Sequence, residues 1–142
     1  MKNKKVMCFG TFDLLHLGHL NYFQQAKNYG DYLIVVVARD QTKLKQRKKP
    51  LFTELERVAL ITHINIVDEV VLGYVGDHYQ IILEKKPGVL CLGYDQQVSI
   101  RHLKKELAKR GMFPQIIRLK PFKHKTQKSS LLKHKIHSFL QK

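Results

Sequence analysis

The stretch VMCFGTFDLLHLGHL, residues 6–20, decides the fold of this chain. Its first four residues are apolar, which predicts a strand buried in a parallel sheet. The run breaks at Gly10, and apolar residues then recur with helical spacing at Leu20, Phe23 and Ala26. This spacing predicts a helix that begins within a few residues of the break. The segment is therefore a strand, a glycine turn and a helix, the repeating unit of an α/β fold.

The same segment is suited to bind an anion, because unpaired backbone N–H groups and the helix dipole face the turn. Gly18 lets a phosphate approach the backbone without meeting a Cβ atom. His16 and His19 are three residues apart, so both imidazoles can lie on one side of the helix and stabilise charge on a phosphoryl group. Two alternatives remain open. The first is that both histidines are ordinary surface residues. The second is that they bind zinc, against which no Glu follows the first His and the two cysteines are distant in sequence.

The composition limits the classes of protein to consider. The 142 residues predict a single domain, residues 1–142. The net charge of +15 favours anionic partners, either nucleotide phosphates or nucleic acid. No apolar segment approaches the length of a membrane span, and the chain enters its first strand without a signal peptide. Cys8 and Cys91 lie in apolar runs, which predicts buried free thiols and a cytoplasmic protein.

Strand and helix patterns alternate along the rest of the chain. Apolar runs predict strands at 33–38, 67–72, 88–93 and 115–119. Helical patterns are predicted at 53–64, 77–85, 99–110 and from 129 onward. We therefore predict an α/β fold, a Rossmann-like parallel sheet of about five strands with helices on both faces. Ligands of such sheets bind at the carboxyl ends of the strands.

Local signals support several of these helices. Thr53 and Glu56 have the spacing of a capping box, and Gly111 is a typical C-terminal glycine. Three of the helices, 53–64, 77–85 and the one from 129 onward, also have apolar residues predicted to face the core. These residues are Val58, Ile61 and Ile64 in the first of them, Tyr79, Ile82 and Leu83 in the second, and Leu132, Ile136, Phe139 and Leu140 in the last.

A lysine-rich segment, 43–49, follows the second strand and is predicted to be a loop. It is either a solvated charge run or a cover that closes over a triphosphate. We expect it to be mobile without nucleotide and ordered with it. Arg57, in the next helix, is either a fork for two phosphate oxygens or a charge on the helix surface.

Two later segments are expected at the same edge of the sheet. Gly93–Gln96 follows a buried strand with polar side chains that suit a base edge or a ribose, although Asp95 can also cap the next helix. The segment 125–131 begins a helix, and Ser129 and Ser130 offer hydroxyls and free N–H groups for a second anion site. Ordinary N-capping is the alternative role for these serines.

The string Gly10–His19 closely resembles the signature of the cytidylyltransferase-like nucleotidyltransferases, whose His-x-Gly-His element binds and activates a nucleoside triphosphate. Further segments are similar to the archaeal-type FAD synthases of that family. They are Val37–Asp40, Lys49-Pro50, Glu54–Arg57, Val67–Glu69 and Leu92–Gln96. The glycerol-3-phosphate cytidylyltransferases are similar through the first motif, but their terminal Arg-Thr-Glu-Gly-Ile-Ser-Thr-Thr is represented here only by Lys125–Ser130.

The resemblance implies an enzyme that transfers AMP from ATP to FMN, giving FAD and pyrophosphate. The alternatives are transfer from CTP to glycerol 3-phosphate or to another phosphorylated acceptor and, in a different class, a basic nucleic-acid-binding protein. A homodimer is expected because a small domain with an open sheet leaves apolar edges to cover and similar family members pair. Mg²⁺ or another divalent cation is expected because the phosphate charges need a counterion. Asp13 is predicted either to position that cation through water or to brace the Gly10 turn.

The predicted site combines residues suggested by the local patterns with residues implied by the family resemblance. The predicted catalytic residues are His16, His19, Lys43 and Lys45. The predicted nucleotide-binding residues are Gly10, Thr11, Phe12, Gly18, His16, His19, Arg57, Gly93, Tyr94, Asp95, Gln96, Thr126, Ser129 and Ser130. A flavin ring also needs a flat apolar slot, and the aromatic residues Phe12, Phe52, Tyr94 and Phe122 either line one or belong to the core.

Overall fold

The computed structural model describes residues 4–122 and 129–141, so Lys125 and Thr126 of the predicted terminal site lie outside the described residues. The strands are β1 (Lys5–Gly10), β2 (Tyr32–Val37), β3 (Glu69–Leu72), β4 (Val89–Leu92) and β5 (Gln115–Arg118). The helices are α1 (Leu17–Lys27), α2 (Asp40–Lys45), α3 (Glu54–Thr62), α4 (Gln80–Lys85), α5 (Ile100–Lys109) and α6 (Ser129–Leu140).

The five strands form one parallel sheet in the order β3-β2-β1-β4-β5. β1 lies at the centre because its neighbours β2 and β4 pair with it on opposite sides. This confirms the predicted α/β sheet. The order also reverses at β1, which is where a ligand crevice is expected in an open parallel sheet.

Helices cover both faces of the sheet, as predicted. The first face packs against α1 and α3, and its buried residues include Val6, Cys8, Phe23 and Ile61. The second face packs against α4 and α5, and its buried residues include Met7, Ile82, Leu90 and Leu107. Alternate residues of one strand therefore belong to different faces, as the two-residue period of a strand requires.

The local signals at the helix ends are confirmed. Thr53 and Glu56 form the capping box at the start of α3. Ser99 caps α5 by accepting a hydrogen bond from the backbone N–H of His102, and Gly111 after that helix has a φ of 77°. Cys8 and Cys91 are buried and form no disulfide. Within the described residues, no helix has the length and apolar content to cross a membrane.

The prediction that the lysine-rich segment 43–49 is entirely a loop is wrong, because its first residues belong to α2. The helix begins through a contact with a distant part of the chain. The Asp40 backbone N–H donates to Glu54 Oε1 at 2.9 Å, and the Glu54 N–H donates to Asp40 Oδ2 at 3.0 Å. Lys43 and Lys45 then lie in the last turn, where cations are favoured by the helix dipole.

Two other helices differ from prediction. α4 begins at Gln80 rather than at Asp77, whose carboxylate instead accepts a hydrogen bond from the Tyr79 N–H and forms a turn. Ile81 is buried beside Ile82, while Leu83 is only half-buried. α6 lies where it was predicted, but its apolar residues do not form a core face. Leu132 is half-buried, whereas Ile136, Phe139 and Leu140 are exposed.

The turn after β1 depends on the absence of a side chain at Gly10. A Cβ atom at Gly10 would lie 2.6 Å from Cζ of Phe12, a ring that is buried in the first-face core. We predict that Gly10→Ala lowers the free energy of unfolding by about 2 kcal/mol, because the Phe12 ring must leave its packed position to make room for the Cβ atom. Urea denaturation measures this change.

Gly73→Ala is the matched control, because Gly73 lies directly after the last residue of β3, just as Gly10 lies at the end of β1. A Cβ atom there makes only ordinary contacts, at 3.4 Å and beyond. An equal loss of stability in the two variants would contradict the steric explanation.

Candidate active site

A cleft of about 830 Å³ lies at the carboxyl ends of the strands. Thirteen predicted site residues line it. They are Gly10, Thr11, Phe12, Asp13, His16, Gly18, His19, Lys43, Gly93, Tyr94, Asp95, Gln96 and Ser130. Lys45 and Arg57 do not line the cleft, and Ser129 is the first residue of α6. The topology thus brings together segments that are up to 120 residues apart in sequence.

The two histidines stand together at the start of α1. His16 is the N-cap residue, and its Nδ1 accepts a hydrogen bond of 3.0 Å from the Gly18 N–H. This bond assigns the proton of the neutral imidazole to Nε2. The His16 and His19 rings are stacked with their centroids 3.9 Å apart, and the Phe12 ring packs edge-on against His19 at 5.3 Å. Both histidines are thereby held in fixed orientations at the helix N-terminus.

The environment favours neutral imidazoles at both positions. Burial, together with the adjacent His16, lowers the pKa of His19 to about 3. Burial also lowers the pKa of His16, and the negative charge of Asp95 opposes that effect. Within the described residues, no group hydrogen-bonds to the buried Nδ1 of His19. A bound polyphosphate would favour the protonated forms, since a nearby negative charge raises the pKa of a histidine.

Lysines from several segments give the cleft a positive wall. Lys43 is half-buried there, and its pKa is lowered by burial and by the positive charges of Lys48 and Arg57. Lys48, Lys49, Lys120 and Lys133 also line the cleft. Lys45, by contrast, is exposed and lies outside the cleft. Of the two lysines predicted to be catalytic, only Lys43 therefore lies in position to meet a ligand.

Arg57 is not the surface charge considered for it, and its guanidinium is engaged by the protein. Its side chain is completely buried and does not line the cleft. Its guanidinium donates to Thr11 O at 2.8 Å, to Phe52 O at 3.2 Å and to Asp40 Oδ1 at 2.6 Å. Arg57 therefore positions the turn after β1 against α2 and the segment that precedes α3.

Asp13 also braces this region. Its Oδ2 accepts a hydrogen bond of 2.7 Å from the Leu51 N–H, and its Oδ1 accepts one of 2.8 Å from the Phe52 N–H. Lys133 of α6 forms an ion pair with the same carboxylate. Although burial raises the pKa of Asp13, these bonds and the Lys133 charge outweigh it, so the net shift is downward. The geometry thus favours the bracing role over a metal contact.

The segment after β4 is held by the predicted residue Gln96 and by two residues that were not predicted, Arg118 and Tyr22. Gln96 accepts a hydrogen bond from the Gly93 N–H at 2.8 Å and donates one to Phe9 O at 2.6 Å. Arg118 donates to the carbonyl oxygens of Gly93 at 3.2 Å and of Gln96 at 2.6 Å. The Tyr22 hydroxyl lies 3.3 Å from Phe9 O and 3.0 Å from Cys91 O. The ends of β1 and β4 are therefore fixed relative to each other.

No sequence signal distinguished Arg118, Lys133 and Tyr22. Arg118 and Lys133 are two of 26 lysines and arginines, and nothing in their local pattern indicates which of them turns inward. Tyr22 lies two residues after Leu20 in the predicted helix and contributes only to its general apolar pattern.

A metal ion bound only by protein side chains does not fit the described residues, where no group of three or more His, Cys, Asp or Glu side chains could hold one. Asp13 and Asp95 are the carboxylates among the residues that line the cleft. Mg²⁺ commonly keeps several waters and takes its remaining ligands from substrate phosphates and one or two carboxylates. The residues present therefore fit a magnesium ion that arrives with a nucleotide.

Comparison with known proteins gives a consistent result. The family described as Cytidylyltransferase-like matches residues 7–135. A protein named FAD synthase from Thermoplasma volcanium is 40% identical over 132 residues, covering 93% of each chain. A FAD synthase from Thermoplasma acidophilum is 38% identical, covering 93% of this chain and 93% of its own. A FAD synthase from Archaeoglobus profundus is 39% identical, covering 82% of this chain and 74% of its own.

Solved structures share the fold. One from Thermoplasma volcanium, titled a lipopolysaccharide core biosynthesis protein, has a TM-score of 0.84 and 40% identity over 85% of this chain and 99% of its own. A pantoate-beta-alanine ligase from Francisella tularensis has a TM-score of 0.62 and 16% identity over 99% of this chain and 72% of its own. The second similarity concerns the fold alone.

The contacts of Arg57 predict a large effect on stability. Arg57→Met removes three hydrogen bonds and leaves Asp40 without its ion pair. We expect the free energy of unfolding to fall by about 3 kcal/mol, measured by urea denaturation. Arg57→Lys should recover little of it, because an ammonium group cannot reproduce the guanidinium fork.

Lys45→Met serves as the control, since it removes an exposed cation from the neighbouring helix, and it should change the free energy by less than about 0.5 kcal/mol. A similar small change for Arg57→Met would mean that Arg57 does not position these segments.

The low pKa of His19 predicts a pH-dependent stability. The unfolded chain protonates His19 near its ordinary pKa of 6.5, whereas the folded protein keeps it neutral down to about pH 3. Between these values the unfolded state binds more protons, so the free energy of unfolding should fall as the pH is lowered. We expect wild type to lose more stability than His19→Gln between pH 6.5 and 4.5 in urea denaturation. If the free energies of unfolding of wild type and His19→Gln fell equally over this pH range, the assigned burial of the imidazole would be contradicted.

Proposed function

Because the chain belongs to the cytidylyltransferase-like family, we propose that it is a nucleotidyltransferase that transfers AMP from ATP to FMN, forming FAD and pyrophosphate. The observation that carries the chemistry is the fixed pair His16 and His19 at the N-terminus of α1, inside a cleft with a positive wall. The choice of substrates is supported by relatives named FAD synthase, which align over almost the whole chain.

The reaction is one displacement at phosphorus. An oxygen of the FMN phosphate forms a bond to the α-phosphorus of ATP, and the bond from that phosphorus to the oxygen bridging the β-phosphate breaks. The electron pair leaves with pyrophosphate. Catalysis by the protein consists of holding the two phosphates in line and stabilising the charge that develops between them.

His16 and His19 act on the α-phosphoryl group. The Nε2–H of His16 is available to donate, because its Nδ1 is occupied by the Gly18 N–H. The His16 and His19 rings share one stack, so their donors reach the same region. Backbone N–H groups at the start of α1 add a partial positive charge. These donors stabilise the transition state more than the ground state, which is the requirement for raising kcat.

Other residues bind the ends of the nucleotide. Lys43, Lys48 and Lys49 meet the β- and γ-phosphates, with Ser130 at the start of α6. Ser129 and Thr126 remain predictions for the same phosphates. The Gly93–Gln96 segment binds the base or ribose, and its shape is maintained by Gln96 and Arg118. Mg²⁺ would neutralise part of the phosphate charge, with Asp95 the candidate for a water-mediated contact and Asp13 retained as a brace.

CTP with glycerol 3-phosphate is the alternative substrate pair, and it has the weaker support because the terminal motif of that group is incomplete here. The homodimer and the cytoplasmic location are further proposals, which follow from the resemblance and from the buried thiols. Among the described residues, the exposed apolar side chains of α6 are one surface available for pairing.

We predict that the protein with Mg²⁺, ATP and FMN forms FAD and an equal amount of pyrophosphate, whereas CTP with glycerol 3-phosphate or a phosphorylated sugar releases little. His16→Ala and His19→Ala should each lower kcat by about a hundredfold, the effect of removing one charge-stabilising donor. Chromatography of the flavin products and a coupled pyrophosphate assay measure both quantities.

Lys45→Ala is the control, because Lys45 is exposed and outside the cleft, and circular dichroism verifies that each variant is folded. Unchanged turnover in both folded histidine variants would remove them from the mechanism. Pyrophosphate release that depends on CTP and glycerol 3-phosphate, with no FAD formed, would favour the alternative substrates. Salt-sensitive RNA binding without any pyrophosphate release would favour the nucleic-acid-binding class.

A further inference from the structure

The cleft crosses the edge of the sheet and has walls from both faces. His16, His19 and Phe12 belong to the first-face side, where α1 lies. A second part is lined by residues that are buried in, or packed against, the second-face core. We call this part the second-face lobe and define it by Phe9, Val36, Tyr74, Tyr79, Ile82 and Leu103.

The second-face lobe is chemically different from the histidine side. Its six defining residues are apolar or aromatic, and they come from β1, β2, α4, α5 and the segment between β3 and α4. Phe9 connects the two sides, because it immediately precedes Gly10 at the end of β1 while its side chain packs with the second face. A ligand lying in this lobe therefore reaches the histidines by crossing the end of β1.

The two tyrosines of the lobe are held in place. The Tyr74 hydroxyl donates to the Glu84 carboxylate, whose oxygens lie 2.8 and 2.9 Å away. The Tyr79 ring lies under the Arg110 guanidinium, 4.3 Å from the ring centroid. The intervening turn is fixed by Asp77, which accepts a hydrogen bond from the Tyr79 N–H, and by Gly76, whose φ of 94° suits glycine. The lobe is thus a preorganised aromatic wall.

We propose that the second-face lobe binds the planar aromatic ring of the phosphorylated acceptor, with Tyr74 as the principal contact. This inference rests on the proposed function, in which the acceptor is FMN. The isoalloxazine ring lies against the apolar wall, and the ribityl chain carries the phosphate past Phe9 toward His16 and His19. Flat rings favour offset or edge contacts with fixed aromatic side chains.

The lobe also explains a preference among acceptors. Phe9, Tyr74 and Tyr79 are the half-buried residues of the lobe, and a small polar acceptor such as glycerol 3-phosphate would leave their exposed surface in contact with water. FMN covers that surface, and the binding energy gained there positions the phosphate for attack. The second-face lobe therefore selects for a large aromatic acceptor.

This assignment differs from the slot predicted from sequence. Phe12 lines the cleft on the histidine side, where its ring packs against His19, and Phe52 does not line the cleft. Tyr94 and Phe122 line the cleft, but neither belongs to the second-face core or packs against it. Tyr74 and Tyr79 take the role instead, because the topology places the end of β3 and the start of α4 beside the ends of β1 and β2.

The test measures FMN binding by flavin fluorescence quenching in the presence of an ATP analogue that cannot react. Tyr74→Ala should raise the Kd for FMN by about tenfold, and the KM for FMN similarly, while the KM for ATP changes by less than about twofold. Tyr74→Phe retains the ring and should restore binding to within about threefold of wild type. Tyr29→Ala is the matched control, since that tyrosine lies outside the cleft, and it should bind FMN like wild type.

The outcomes separate this inference from the proposed function. Suppose that wild type forms FAD. Normal FMN binding by Tyr74→Ala, or loss of binding in Phe122→Ala alone, would then exclude the second-face lobe as the ring site and leave the proposed function intact. If wild type binds FMN but forms no FAD, the proposed function is refuted, while loss of FMN binding in Tyr74→Ala still supports the lobe. If wild type binds no FMN at all, the lobe assignment is overturned. Circular dichroism and an unchanged KM for ATP verify that the variants are folded.

Discussion

A single buried guanidinium holds together the segments that shape the histidine side of the cleft. Arg57 donates to the turn after β1, to the segment before α3 and to the Asp40 carboxylate at the start of α2. A buried charge is costly unless it is paired and hydrogen-bonded, and these three partners meet that requirement. The same network fixes α2, because Asp40 and Glu54 cap each other's helices. Because Arg57 binds Asp40 at the start of α2, it also helps to place Lys43 of that helix at the cleft.

The cleft itself follows from the strand order. β2 and β4 lie on opposite sides of β1, so the connections leaving them diverge to different faces and open a crevice at their carboxyl ends. Gln96 and Tyr22 keep that crevice narrow by linking the ends of β1 and β4. The histidines lie on one side of this edge and the aromatic wall on the other. Two phosphorylated substrates can then approach each other over the end of a single strand.

The sequence was most informative where structure depends on local pattern. Apolar runs located all five strands, and Thr53 and Gly111 marked helix ends, because capping involves neighbours within a few residues. The histidine pair was found from its spacing and its place after the first strand. The start of α2 was missed because it depends on Glu54, fourteen residues away.

The role of Arg57 could not be chosen from sequence, because its burial depends on packing among three distant segments. Lys133 was missed for the same reason, since its partner Asp13 lies 120 residues earlier in the chain. The apolar residues of α6 had the spacing of a core face, yet Phe139 and Leu140 are about three-quarters exposed. Helical periodicity indicates an apolar face but does not identify what covers it.

In the proposed reaction the acceptor phosphate attacks the α-phosphorus directly, with both substrates in one cleft and no covalent enzyme intermediate. The thiols are consistent with a direct attack, because burial raises the pKa of Cys8 and raises that of Cys91 to about 12, which disfavours nucleophilic thiolates. The most direct measurement uses ATP that carries sulfur at the α-phosphorus in one known configuration, with FMN as acceptor. A single in-line displacement predicts inversion of configuration at that phosphorus in the flavin product. Retention would indicate two successive displacements and would contradict the mechanism.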